Sequence, residues 1–124
     1  MGLPKTLRLK HWQDFQTVYQ QGKRHRHSNL LMRVLGDRQA DHSRFGITVS
    51  QKVSKKATVR NRLKRQIRAV INHFQSQIKP GFDVVIIVLP QGIGCNYERF
   101  LRELEQLFSQ AGIIDHGNPR NHLL

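Results

Sequence analysis

Apolar residues recur along this chain in three different rhythms, and the changes of rhythm mark its elements. Over 11–21, Trp12, Phe15, Val18 and Tyr19 return every three or four positions, and Gly22 stands where a left-handed cap would close a helix. Trp12 and Val18 read as core on that stripe. Residues 23–27 form a basic connector, and 30–35 read as a strand bounded by a polar turn region over 36–43. From 45 to 50, Phe45, Ile47 and Val49 alternate with Gly46, Thr48 and Ser50, so one strand face is buried and the other carries small hydroxyls. Across 59–78, Val59, Leu63, Ile67, Val70, Ile71, Phe74 and Ile78 make a stripe about 120° wide on a helical wheel. Lys79-Pro80-Gly81 ends that helix. Residues 82–89 are almost continuously apolar, as in a strand covered on both faces. After a loop at 91–94, Asn96 offers an N-cap to a last amphipathic helix carrying Tyr97, Phe100, Leu101, Leu104, Leu107, Phe108 and Ala111. Gly112 marks its end, and 115–124 are polar and aperiodic.

The order helix, strand, strand, helix, strand, helix predicts an α+β fold, a small two-layer sandwich of helices on a sheet. It fills a single domain over 1–114, with 115–124 as a flexible tail. The long helix and the strands beside it form a strand-helix-strand crossover whose hand the pattern leaves open. At 124 residues there is room for one core. A lone cysteine, Cys95, leaves no internal disulfide and fits a reducing, cytoplasmic setting. No run of about 18 apolar residues is present to cross a bilayer.

Charge narrows the partners. The chain carries a net charge of +13, and no acid lies between Asp41 and Asp83. Inside that gap, Arg60-Asn61-Arg62-Leu63-Lys64-Arg65-Gln66-Ile67-Arg68 holds five positive charges in nine residues. Solvated helix faces usually mix signs at spacings of three and four. Here every such neighbour is positive or neutral, which costs a few tenths of a kcal/mol per pair without a partner. Arginine's planar fork suits phosphate oxygens. Nucleic acid is therefore the expected ligand, and few aromatics are present to stack, so the phosphate backbone should dominate affinity.

Ser50-Gln51-Lys52, Lys55-Lys56-Ala57 and the Arg60–Arg68 run together resemble the signature stretch of the protein subunit of bacterial ribonuclease P. The resemblance extends over roughly 7–112, through Phe15 and Tyr19, the Arg44-Phe45-Gly46 strand entry, the strand after Pro80-Gly81 and the closing helix. It implies a left-handed crossover, against the general rule. It also implies a partnership with a catalytic RNA that removes the 5′ leader from precursor tRNA by magnesium-assisted phosphodiester hydrolysis. The protein would bind no cofactor itself, and the magnesium would sit in the ribonucleoprotein. Lys52, Lys55, Lys56, Arg60, Asn61, Arg62, Lys64, Arg65 and Arg68 match the motif facing the catalytic RNA. Phe15, Tyr19, Arg33, Thr48 and Ser50 match a cleft for the single-stranded leader, where stacking tolerates varied sequence. Phe15 and Tyr19 also have a reading as core. Two positions depart from the family pattern: Gln51 stands where many members carry a second lysine, and Arg33 stands where some carry an aromatic on the cleft strand, trading stacking for charge.

Nothing in the sequence looks catalytic. His25 and His27 share one face of an extended segment but have no carboxylate or thiol beside them for a metal. Asp37 and Asp41 sit in a turn, and Glu98, Glu103 and Glu105 are scattered on the last helix, whereas two-metal hydrolysis needs converging carboxylates. Cys95 precedes a helix N-terminus, a place where thiols acidify, but no partner base is near. The alternative class is a structural RNA-binding protein of the ribosomal kind. A binder of anionic membranes would need exposed apolar residues that this chain uses for its core. No small-molecule substrate is expected.

Overall fold

The computed structural model describes residues 3–115. The predicted tail lies, beyond Asp115, outside them. The elements are α1 (Trp12–Gln21), β1 (Lys23–Arg26), β2 (Leu30–Leu35), β3 (Arg44–Thr48), α2 (Ala57–Phe74), β4 (Asp83–Val88) and α3 (Tyr97–Gln110). Four strands form a mixed sheet in the order β1-β2-β4-β3. β1–β2 and β2–β4 pair antiparallel, and β3–β4 pair parallel across the α2 crossover.

Strand alternation divides the apolar residues between two faces. Leu30, Met32, Val34, Val84, Ile86 and Val88 point at α2 and α3, where they meet Leu63, Ile67, Val70, Ile71, Leu104 and Leu107. Phe108 sits in the middle, its ring 5.9 Å from both Phe45 and Phe74. Each such large side chain stabilises by roughly 1.5–3 kcal/mol on burial. Leu35, Val85 and Ile87 point the other way and meet Val18, Phe15 and Leu9. The two-layer α+β sandwich is therefore present, with α1 lying over part of the sheet's second face.

The structure departs from the expected pattern in several places. Residues 23–27 are not a connector, because Lys23–Arg26 is an edge strand paired with 31–34 of β2. Gly22 is not left-handed, with φ −74° and ψ 153°. It is needed for close approach: a Cβ there would lie 2.4 Å from the Val18 carbonyl oxygen and 3.2 Å from that of Val34. Gly112, with φ 74°, is left-handed and closes α3. Trp12 is not core; it is 65% exposed, while Val18 is fully buried. The long helix starts at Ala57 and ends at Phe74, tightening into a 3-10 turn at Gln75–Gln77, and a second such turn, Pro90–Gly94, fills the expected loop. β3 stops at Thr48, leaving Ser50 in a turn where its carbonyl accepts from Val53 N–H at 3.0 Å. Asn96 caps α3 as expected, accepting from Arg99 N–H at 3.0 Å.

Candidate RNA interface

One stripe of α2 is spent on the core, and this decides where its charges go. Asn61, Arg62 and Arg65 lie opposite that stripe and are exposed. Arg60, Lys64 and Arg68 follow one border of it and are half-buried, while Lys52, Lys55 and Lys56 stand exposed before the first turn. Arg60 Nη1 donates to Ser54 O at 3.0 Å, and Lys56 N–H to Ser54 Oγ at 3.1 Å, fixing the loop against the helix start. The first turn of α2 contains no acid. Cations there face the positive end of the helix dipole, an unfavourable placement that an anion reverses. The carboxylates in ion pairs among the described residues belong to Asp14, Asp83, Glu103 and Asp115, and their partners are Arg38, Arg44, His27, Arg99 and Lys79. None reaches the α2 ridge, so its charge is not neutralised by any carboxylate among the described residues.

The second set of residues lies around the open part of the sheet's other face. Phe15 packs on the sheet at Gly46, where a Cβ would come within 2.4 Å of its ring. Tyr19, one turn on, is 39% exposed. Arg33 Nη2 donates to the carbonyls of Tyr19 and, at 3.2 Å, of Gly22, so this guanidinium ties the end of α1 to β2. Thr48 is half-buried at the end of β3; Ser50 is exposed past it, its hydroxyl accepting from Lys52 N–H at 3.3 Å. A depression of about 150 Å³ is lined by Phe15, Gly46, Arg8 and Ile47 together with Arg68 of α2. Phe15 and Arg68 thus border the same depression, one residue from each set.

A family model for ribonuclease P matches residues 3–112. The chain belongs to the ribonuclease P protein family. It is 98% identical over 124 residues, all of both chains, to the ribonuclease P protein component of Synechocystis sp.. It is 57% identical over 121 residues to that of Microcystis aeruginosa, covering 95% of this chain and 100% of the relative. Among solved structures it resembles the RNase P protein of Staphylococcus aureus, with TM-score 0.81 and 27% identity over 90% of this chain and 100% of that one. It also resembles the RNase P protein of Thermotoga maritima, with TM-score 0.75 and 28% identity over 83% and 96%. These likenesses support the ribonuclease P reading and not the ribosomal-type alternative.

Within the ribonuclease P fold, β1 adds residues that periodicity did not reveal. Its register sets Arg24 opposite Arg33 and Arg26 opposite Leu31, so both arginines share the sheet face on which Phe15 packs. Only the alternation of Lys23 and His25 with Arg24 and Arg26 hinted at a strand, and it is invisible to a hydrophobic pattern. Glu103, one of the scattered acids of the last helix, is buried. It is 1% exposed, accepting from Asn29 N–H at 3.0 Å, Asn29 Nδ2 at 2.5 Å and Arg99 Nε at 2.9 Å. Cys95 is not acidified; burial pushes its thiol up, and Glu103 adds to this against Arg99. Among the described residues no group of three or more His, Cys, Asp or Glu is placed to hold a metal, and no helix is long and apolar enough to cross a membrane.

Proposed function

We propose that this chain assists a catalytic RNA in the endonucleolytic removal of the 5′ leader from precursor tRNA, in the cytoplasm. Lys52, Lys55, Lys56, Arg60, Asn61, Arg62, Lys64, Arg65 and Arg68 hold the catalytic RNA through its phosphates. Phe15, Tyr19, Arg33, Thr48 and Ser50 line the cleft for the leader. Arg33 serves there by fixing α1 against β2, leaving stacking to Phe15 and Tyr19. The RNA carries the chemistry and the magnesium ions; this chain binds and orients. A +13 protein also offsets repulsion between two RNA molecules, which lowers the divalent ion concentration at which they associate.

The observation that carries this reading is the α2 ridge, unneutralised by any carboxylate among the described residues and contiguous with an aromatic-lined cleft. Adding the purified chain to the matching RNA at low magnesium is expected to increase leader cleavage of precursor tRNA. No increase refutes the proposal.

A further inference from the structure

The arm preceding α1 is not used by either set of residues described above. Leu3, Leu7 and Leu9 turn inward and are buried, whereas Lys5, Arg8 and Lys10 are exposed. Leu7 N–H donates to Pro4 O at 2.9 Å, Arg8 Nε to Leu3 O at 2.8 Å and Leu9 N–H to Phe45 O at 2.9 Å, so the arm is folded and pinned to the edge of β3. Between arm and sheet lies a hollow of about 240 Å³, lined by Lys5, Thr6, Arg8, Lys10, His11 and Arg44. No carboxylate lines it. The two acids nearest Arg44, Asp14 and Asp83, are taken up by Arg44 itself and by Arg38. Among the described residues no ion pair involves Lys5, Arg8 or Lys10.

Trp12 comes next in the chain, and an indole left 65% exposed contributes little to the core. On the helical wheel Trp12, Phe15 and Tyr19 fall within about 60° of one another. Trp12 therefore prolongs the aromatic line of the cleft towards the basic hollow. Arg8 lines both this hollow and the depression containing Phe15 and Arg68, so the two are contiguous. A basic groove beside exposed aromatics is the composition that single-stranded nucleic acid selects.

We propose that the arm is a second site for single-stranded RNA, where Trp12 stacks on a base and Lys5, Arg8 and Lys10 take the flanking phosphates. It rests on the reading that the cleft holds the leader, and it extends that track, so longer leaders gain interactions that short ones lack. An anionic membrane is the less fitting occupant, because the arm's leucines are buried in the fold and leave one exposed aromatic to insert.

Trp12 is the only tryptophan of the chain, so its fluorescence reads this site in the intact protein without the catalytic RNA. Titration with a short oligouridylate is expected to quench it, with a midpoint that weakens as salt rises. The K5A/K10A double variant is expected to weaken that binding by about tenfold. By anisotropy of a labelled oligouridylate, Trp12→Ala is expected to lose about tenfold as well. All three side chains are exposed, so unchanged thermal unfolding should accompany both losses. Absence of quenching, or quenching that K5A/K10A leaves unaltered, overturns the proposal. So does a response to phosphatidylglycerol vesicles without one to RNA. If the chain still stimulates leader cleavage while Trp12 ignores RNA, the arm site falls and the proposed function stands.

Discussion

At the scale of single residues, two glycines and one glutamate show how closely the cleft and the core are built. Gly22→Ala sets a methyl against backbone on both sides, at Val18 and Val34, so neither neighbour yields easily. A loss of about 2 kcal/mol is expected in chemical denaturation. Gly46→Ala meets only the far end of the Phe15 ring. The ring swings away instead, so this variant is expected to lose more affinity for a single-stranded leader than stability, measured by oligonucleotide binding beside denaturation. Glu103 is a different case. Burial by itself would raise its carboxyl, but hydrogen bonds from Arg99 and Asn29 and the adjacent His27 outweigh burial and hold it below the ordinary 4.5. A carboxyl depressed in the folded state stabilises above its unfolded pKa, and the contribution disappears as pH falls through the folded value. Glu103→Gln is therefore expected to cost about 2 kcal/mol at neutral pH and to flatten the loss of stability below the ordinary carboxylate range. Denaturation midpoints of both proteins at neutral and acid pH check this.

At the scale of elements, α2 and β4 were legible because their surroundings are simple. A helix with one buried stripe and a strand covered on both faces each write their burial directly into the order of apolar residues. β1 was not legible, since an edge strand of Lys23, Arg24, His25 and Arg26 buries little and exists because β2 offers it a pairing edge. Trp12 obeyed the helical spacing of α1 but stands at its first turn, beyond the sheet that buries Val18, and periodicity carries no information about where a neighbouring layer ends. The α2 ridge was legible as charge, and its exposure followed from the stripe opposite. What the sequence left hidden was the depression that Phe15 and Arg68 share and the place of Arg24 and Arg26, which depend on sheet order and register. The start of α2 gives a prediction of opposite signs. Lys55→Glu with Lys56→Glu removes cations from the positive end of a helix dipole, so the free protein is expected to gain about 1 kcal/mol. The same pair is expected to weaken association with the RNA. Thermal unfolding and filter binding on one preparation check both signs.

At the scale of the whole molecule, the acids and the bases are sorted. Asp14 and Asp83 hold Arg38 and Arg44 near the sheet's edge, and Glu103 holds Arg99 at α3. Most of the remaining positive charge lies along α2, the loop before it and the N-terminal arm. An unpaired excess of this size opposes compactness, and its return comes when phosphates replace the counterions. The most direct test of that account is the dependence of association on salt. The logarithm of the affinity for the catalytic RNA, plotted against the logarithm of salt concentration, should have a slope shallower by about two in the R62E/R65E variant, one for each phosphate that the variant no longer neutralises. A slope identical to that of the unsubstituted chain would contradict the claim that the exposed flank of α2 is the RNA interface.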